Sequence, residues 1–317
     1  MILLALVWGS GIWADEPAPA PDPSQIVARM HHSLASMSYR GTVAYLKEGR
    51  LDTLELVHSA GKSGVFERIV SLNGAMREVV RDGSKMLVFS PETRTVVEEN
   101  EGGGRYFLLD FPSDVGGIDH RYHLKFQGTE KVLQREAWQL VIAPRDDLRF
   151  ERRIWVDVAS GLPLKYELVD EHHQLIEQMM FTHVEIQPVF QPADLKPLTH
   201  AEGFRTLQGE SEQLSLHALN WSLKDVPAGF SIKSYSRVQR PPLNRPIEHI
   251  LLSDGLSSVS VYIDRVDERL MVSHVRKMGA LNVFTRVVDG YQLTILGEVP
   301  AKTVELIANG LHHRSPP

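Results

Sequence analysis

An alternation of apolar and polar residues from Tyr39 to about Ile186 limits the possible folds more than any other feature. Successive side chains of a strand point to opposite faces, so this alternation predicts strands with one buried face. About ten such segments follow one another, punctuated by turn sequences such as NGA at 73–75 and DGS at 82–84. Short links between so many strands predict a mainly β, strongly curved, meandering antiparallel sheet.

One helix is expected in front of this sheet. Ser24 follows Pro23 and is a suitable N-cap. Apolar residues then recur at intervals of four and three, on one helical face: Ile26, Met30, Leu34 and Met37. The segment 24–190 is therefore predicted to be one α+β unit, with the helix across the concave face of the sheet.

The apolar face of the sheet is also a candidate binding site. If the helix does not fill the concave side, an apolar hollow remains that suits an acyl chain. The candidate lining residues are Trp138, Leu140, Ile154, Tyr166, Met179 and Phe181. Ordinary close-packed core is the alternative, and the alternation fits both interpretations.

A second, smaller β-rich unit is predicted after this one. The Pro-rich and polar stretch 191–213 breaks the alternation and indicates a linker. Two hairpins with Asp-Gly turns at 254–255 and 289–290 follow within 214–317. Pro300 opens a terminal helix, whose apolar side carries Val304, Ile307 and Leu311.

The first residues indicate export. Residues 1–14 read MILLALVWGSGIWA and precede the acidic, Pro-rich stretch DEPAPAPDP at 15–23. Fourteen residues rise about 21 Å as a helix, less than the ~30 Å core of a bilayer. We expect an export signal cut near Ala14 and a disordered leader at 15–23, hence a soluble periplasmic protein. A buried N-terminal strand or helix is the alternative.

The pentapeptide DEHHQ at 170–174 combines side chains that bind metals. It lies between two alternating segments, where a hairpin needs a solvated loop, and catalytic zinc sites take their ligands from rigid elements. We therefore interpret it as a hairpin tip. The G-x-S-x-G and H-E-x-x-H patterns and a phosphate-binding loop are missing from the chain, so we expect neither enzymatic activity nor a cofactor.

Charge and cysteine content narrow the class of partner. With 34 basic and 40 acidic residues, the chain is a poor match for nucleic acid. It has no cysteine, and therefore neither disulfides nor the lipidated cysteine of a lipoprotein. A basic stretch between 233 and 245 could hold an acidic peptide or an anionic head group, or it could simply be a solvated strand end: Lys233, Arg237, Arg240 and Arg245.

Several blocks taken together resemble the RseB family of sigma-E regulators, called MucB in some bacteria. They include YRGTVAYLKEG, PRDDLRFERRIWVDVASGLPLKYELVDEHHQLIEQMMFTHVEI, WSLKDVPAGF, SDGLSSVSVYID and ILGEVPAKTVELIA. They span about 39–311 in the expected order. The chain departs from the family at Phe150 and Glu151, where many relatives carry Tyr-Gly, and its export signal lacks a basic start.

The resemblance implies both a fold and a function. It implies that the large unit is an incomplete antiparallel barrel with helices over its opening, similar to the lipoprotein carriers LolA and LolB. It also implies a periplasmic negative regulator of the envelope stress response. Such a regulator binds the periplasmic region of a single-span anti-sigma factor, protects it from regulated proteolysis, and is released by lipid or lipopolysaccharide. A periplasmic lipid or lipoprotein carrier is the alternative, and homo-oligomers are compatible with either function.

Overall fold

The computed structural model describes residues 20–61, 64–100, 111, 117, 118, 120–239, 245–265 and 274–314. Within them the chain forms two α-helices and three sheets of 12, 7 and 2 strands. The mainly β class, the large open sheet and the smaller second unit with its terminal helix are thereby confirmed. The expected export signal at 1–14 and most of the leader lie outside the described residues.

The elements follow the chain in a simple order. The helices are α1 (Pro23–Ser36) and α2 (Ala301–Gly310), with single 3-10 turns at Pro91–Thr93 and Leu216–Ala218. The large sheet contains β1 (Tyr39–Lys47), β2 (Arg50–Gly61), β3 (Gly64–Ser71), β4 (Glu78–Asp82), β5 (Lys85–Ser90), β6 (Thr95–Asn100), β7 (Tyr122–Val132), β8 (Arg135–Pro144), β9 (Glu151–Asp157), β10 (Pro163–Val169), β11 (Leu175–Ile186) and β12 (Arg205–Gln208). The remaining strands are β13 (Glu210–Gln213), β14 (Trp221–Leu223), β15 (Ser231–Gln239), β16 (Ile247–Ser253), β17 (Ser258–Arg265), β18 (His274–Met278), β19 (Leu281–Val288), β20 (Tyr291–Gly297) and β21 (Leu311–His313).

The large sheet is built from two meanders that meet at β1. Its order is β12-β6-β5-β4-β3-β2-β1-β11-β10-β9-β8-β7. Sequential neighbours pair antiparallel because short turns can join only antiparallel strands. The parallel pair is β12 with β6, which the chain reaches after the long excursion through β7 to β11. The large sheet and α1 together are called the large unit below, and residues 210–314 the small unit.

Helix α1 begins two residues earlier than expected. Asp22, not Ser24, is the N-cap, and its carboxylate accepts a hydrogen bond from the Ser24 amide at 3.1 Å. Pro23 fits the first helical position because it has no amide hydrogen to satisfy there. Ile26, Met30 and Leu34 of the predicted stripe lie in the core of the large unit together with Val27, whereas Met37 is the C-cap of the helix and is only partly buried. Burial of each such side chain contributes about 1.5–3 kcal/mol.

The stretch expected to be a linker packs against the large sheet. Residues 190–204, called the strap below, cover a second apolar cluster on the sheet that includes Val57, Phe66 and Val80. Buried side chains bind the strap's backbone: Arg68 donates to the carbonyls of Asp194 and Lys196, and Glu78 accepts from the amides of Leu198 and Thr199. The chain then adds β12 to the large sheet and, after Gly209, β13 to the small one.

The small unit packs α2 onto one face of its seven-stranded sheet. Its order is β13-β15-β16-β17-β20-β19-β18. Val304 and Ile307 of α2 are fully buried against strand residues such as Ile250, Val261 and Ile295. The terminal β21 pairs with β14, so the end of the chain is fastened to the start of the unit.

Candidate functional site

The six candidate lining residues lie on one face of the large sheet. The register places Met179 opposite Tyr166, Tyr166 opposite Ile154, and Ile154 opposite Leu140. Trp138 and Phe181 follow the same alternation in neighbouring rows, and all six belong to the core that α1 covers or pack against it.

Burial divides this group into two parts. Leu140, Ile154 and Phe181 are at most 1% exposed and belong to close-packed core. Trp138, Tyr166 and Met179 are only partly buried. Arg29 of α1 lies 5.1 Å above the Trp138 ring. The fully buried residues are therefore packed like any protein interior, and access for a guest is greater at the three partly buried side chains.

A cavity of about 370 Å³ opens where α1 begins beside the start of β7. It is bordered by Asp22, Pro23, Ser24, Tyr122, His123, Leu124 and Arg145. The lining is more polar than the predicted hollow, and the Arg145 guanidinium contacts His123 Nε2 at 2.8 Å. Among these residues, Tyr122 connects the cavity to the protein interior, because its ring belongs to the core beneath α1.

The basic stretch is partly neutralised within the small unit. Lys233 and Arg237 are exposed on β15, but Arg237 pairs with Glu212 of β13 at 2.9 Å. Arg245 pairs with Asp264 at 2.7 Å. Arg240 lies outside the described residues. Exposed pairs such as these contribute only about 0.2–1 kcal/mol, so a competing carboxylate can replace either acid at little cost.

A buried polar cluster joins the two units at the turn between β16 and β17. The carboxylate of Asp254 accepts hydrogen bonds from Tyr122 Oη at 2.9 Å and from the amides of Leu256 and Ser257 at 2.9 and 2.7 Å. It also forms an ion pair with Arg149, and neither side chain is exposed. Residues 254–257 are called the docking turn below, because they bring the small unit into contact with the large one.

Arg149 is held on several sides. Its guanidinium also donates to Asp146 Oδ2 and to the Ala228 carbonyl, both at 2.5 Å. The ring of Phe230 lies 4.9 Å from it. A buried charge is tolerated only when it is paired and hydrogen-bonded, and these contacts meet that condition.

Both members of the Arg149–Asp254 pair are charged at neutral pH. Burial would raise the pKa of Asp254, but hydrogen bonds from the Ser257 amide and from Arg149 outweigh it and hold that pKa below its usual range. Burial works against the guanidinium too, yet the bond to Asp254 raises the pKa of Arg149. Burial raises the pKa of Tyr122 to about 12, so its hydroxyl remains a donor.

Glu177 also connects the two units. Glu177 of β11 accepts from Tyr45 Oη at 2.7 Å, Lys47 Nζ at 2.9 Å and the Ala280 amide of the small unit at 3.0 Å. The preceding Gly279 has φ +63°, and a Cβ there would lie 2.6 Å from the Lys47 side chain. Close approach of this turn therefore requires glycine.

At the start of α2, the hydroxyl of Thr303 donates to the Leu148 carbonyl at 2.7 Å. Lys302 Nζ meets Asp147 Oδ2 at 2.5 Å. The loop before β9 therefore faces both the docking turn and α2.

The hairpin prediction for DEHHQ is confirmed. Residues 170–174 connect β10 to β11, and the Asp170 carboxylate accepts from the amides of His172 and Gln174 at 2.9 and 2.8 Å. His173 adopts φ +61° at the tip. Among all described residues, no group of three or more His, Asp or Glu side chains is placed to hold a metal ion.

Sequence reasoning missed the docking turn as a functional element. Asp254 was predicted only as a hairpin residue, and Arg149 lies 105 positions away in the chain. A signal was nevertheless present, because PRDDLRFERR, WSLKDVPAGF and SDGLSS were all among the blocks that carry the family resemblance.

Family comparison accounts for both units. The family description "MucB/RseB N-terminal domain" matches residues 22–199, and "MucB/RseB C-terminal domain" matches residues 215–312. The chain belongs to the MucB/RseB family. The resemblance found in the sequence is thereby confirmed, and the docking turn joins the two domains that define MucB/RseB proteins.

Curated relatives match over nearly their whole length. The sigma-E factor regulatory protein RseB of Salmonella typhimurium is 26% identical over 324 aligned positions, which cover 98% of this chain and 97% of that protein. The sigma factor AlgU regulatory protein MucB of Pseudomonas aeruginosa is 26% identical over 311 positions, covering 96% and 95%.

Solved structures of MucB show the same fold. The structure of the Pseudomonas aeruginosa MucA/MucB complex matches with a TM-score of 0.74 at 25% identity, over 93% of this chain and 100% of that chain. A structure of MucB matches with a TM-score of 0.66 at 25% identity, over 92% and 98%. In the part of this chain that the structure describes, no helix is both long enough and apolar enough to cross a bilayer.

Proposed function

We propose that this protein binds the periplasmic region of a membrane anti-sigma factor and thereby keeps an envelope-stress sigma factor inactive. The observation that carries the proposal is the match of both units, over 93% of the chain, to MucB from a MucA/MucB complex. The names of the curated relatives support it, since they are sigma-E and AlgU regulatory proteins. Such a regulator works in the periplasm by binding and needs no catalytic residue.

Binding explains regulation through simple linkage. A segment bound to this protein is shielded from the protease that would otherwise cut it, so the sigma factor stays captive. A lipid or lipopolysaccharide that favours the unbound conformation weakens the complex by its differential binding free energy. A tenfold loss of affinity requires only about 1.4 kcal/mol.

Charge favours the β15 side of the small unit for an acidic partner segment. Lys233 and Arg237 are exposed there, and Glu212 is the acid that a partner carboxylate has to replace at Arg237. The exchange trades one exposed ion pair for another, so its net cost is small. The partly buried residues of the apolar face, Trp138, Tyr166 and Met179, are the proposed contacts of an acyl chain.

The test is binding of the full mature chain to the purified periplasmic segment of its cognate anti-sigma factor. Lys233→Glu combined with Arg237→Glu should weaken binding at least tenfold, because two attractive charges become repulsive. The matched control reverses Arg276 and Lys277, which are exposed on β18 at the opposite edge of the same sheet, and should leave affinity unchanged.

The outcomes separate the site from the function. Equal affinity for the double variant and the control rejects the β15 site. Failure of the wild-type chain to bind the segment rejects the proposed function itself. Co-purification of stoichiometric lipid without any binding of the segment supports the lipid carrier instead.

A further inference from the structure

The docking turn does more than bring the units together, because it contributes to the core of the large unit. Leu256 extends from the small unit and packs against the core that contains α1, Ile118 and Tyr122. Gly255 before it has φ +102°, and a Cβ there would lie 3.3 Å from Ile118. A side chain of the small unit therefore adds to the apolar core of the large unit when the two are docked.

The polar contacts keep Leu256 in this position. Arg152 donates to Ser257 Oγ at 3.2 Å, and Arg121 donates to the Asp254 carbonyl at 2.8 Å. Together with the Arg149–Asp254 pair, they fix both ends of a four-residue turn. Buried polar contacts of this kind favour one arrangement of the turn, and they form only when the turn is seated.

We propose that the docking turn is a plug for the apolar face beneath α1, so that an acyl chain bound there and the docked small unit exclude each other. The inference deepens the lipid response of the proposed function and rests on it. Tyr122 is the link between the two, because its ring belongs to the core under α1 while its hydroxyl binds Asp254. An acyl chain that displaces Leu256 or Tyr122 removes contacts that hold the small unit.

Linkage makes the proposal reciprocal. If the acyl chain disfavours docking, docking disfavours the acyl chain by the same factor. Leu256 is partly buried, so its removal should favour the acyl chain about fivefold, which corresponds to ~1 kcal/mol.

The first experiment titrates the full chain with cis-parinaric acid, a fluorescent fatty acid. Leu256→Ala should bind this probe about fivefold more tightly than the wild type, because the plug is smaller. Leu216→Ala is the matched control, since Leu216 is a leucine of the same unit that is 51% exposed, and it should bind like the wild type.

The second experiment holds the plug in place. The chain has no cysteine, so Asp147→Cys and Lys302→Cys can be joined by a short bis-maleimide across the junction where the native pair meets at 2.5 Å. The cross-linked chain should bind the probe about fivefold more weakly than the same variant without cross-linker.

Three results would overturn the proposal. Unchanged probe affinity in Leu256→Ala, or equal affinity with and without the cross-link, overturns the proposal. A probe that binds none of the variants overturns it as well, because a core with its plug removed then still has no place for an acyl chain. Binding of the anti-sigma segment by the wild type is measured separately, so the proposed function can stand or fall independently.

Discussion

Replacing Asp254 by Ala should uncouple the two units. The change removes the acceptor for one ion pair, the Tyr122 hydroxyl and two backbone amides. Arg149 would remain at 1% exposure, with Asp146 as its remaining acidic partner. The change deletes one small side chain, and the two turn amides of Leu256 and Ser257 lose their acceptor with it.

The expected loss of folding stability follows from the burial of both charges. Breaking a buried pair from one side costs about 3–5 kcal/mol, since the other charge stays desolvated. Arg149→Met should cost less, roughly 2 kcal/mol, because Asp254 keeps its two backbone donors and Tyr122. The double variant should lose about 2–3 kcal/mol less than the sum of the single variants, which lies in the upper part of the ~0.5–3 kcal/mol range for directly coupled residues.

The assay is urea unfolding followed by tryptophan fluorescence and by circular dichroism. Trp221 reports on the small unit, whereas Trp138 and Trp155 report on the large one. The wild type should unfold in one coupled transition, and Asp254→Ala should show an earlier transition of one unit. Additive losses in the double variant, or an unchanged midpoint in Asp254→Ala, would refute a cooperative lock at the docking turn.

Three further predictions concern the large unit. Gly41→Ala should lower the free energy of urea unfolding by ~3 kcal/mol, because its Cβ would lie 2.2 Å from a backbone carbonyl oxygen. The control Gly61→Ala, whose Cβ would have no neighbour nearer than 4.0 Å, should change it by less than ~0.5 kcal/mol. Glu78→Gln should increase limited proteolysis within the strap, because the carboxylate accepts from two strap amides; cleavage at the wild-type rate would show that the strap is held by apolar contacts alone. Burial would raise the pKa of Asp157, but hydrogen bonds from a neighbouring arginine and serine outweigh it and lower the pKa. The ionised Asp157 carboxylate therefore stabilises the fold above pH ~4, and this stabilisation is lost as the pH falls through the folded-state pKa. Asp157→Asn should make the free energy of unfolding depend less on pH in the acid range. An unchanged pH dependence would contradict a lowered pKa.

The fold could be predicted wherever periodicity carries the information. The predicted strand segments correspond to β1–β5 and β7–β11, because a half-buried strand must alternate. Strand β12 has only four residues, Arg205–Gln208, and pairs in parallel with β6, so no pattern marks it. The strap lacks periodicity because side chains such as Arg68 and Glu78 satisfy its backbone, and a Pro-rich stretch of this kind looks like a linker in sequence.

The candidate site could be predicted only in part, for a physical reason. The register of neighbouring strands brought six residues of the apolar face together, as alternation implies. Contacts between the units join residues that are more than a hundred positions apart in the chain, and sequence spacing cannot predict such contacts. Arg237 illustrates the same gap: its charge is visible in the sequence, but the glutamate that partly neutralises it lies on another strand.

The two units are joined by one short connection, so the contacts of the docking turn largely determine how easily they separate. Gly209 alone separates β12 of the large sheet from β13 of the small one. Rotation about this glycine, which has the widest backbone freedom, would leave both sheets intact and break the contacts of Asp254, Glu177 and Lys302. Lys302 is exposed and its pair with Asp147 contributes little. Asp254 is buried and paired on every side, so the cost of opening the molecule lies mainly in the docking turn, where an apolar ligand has the most to displace.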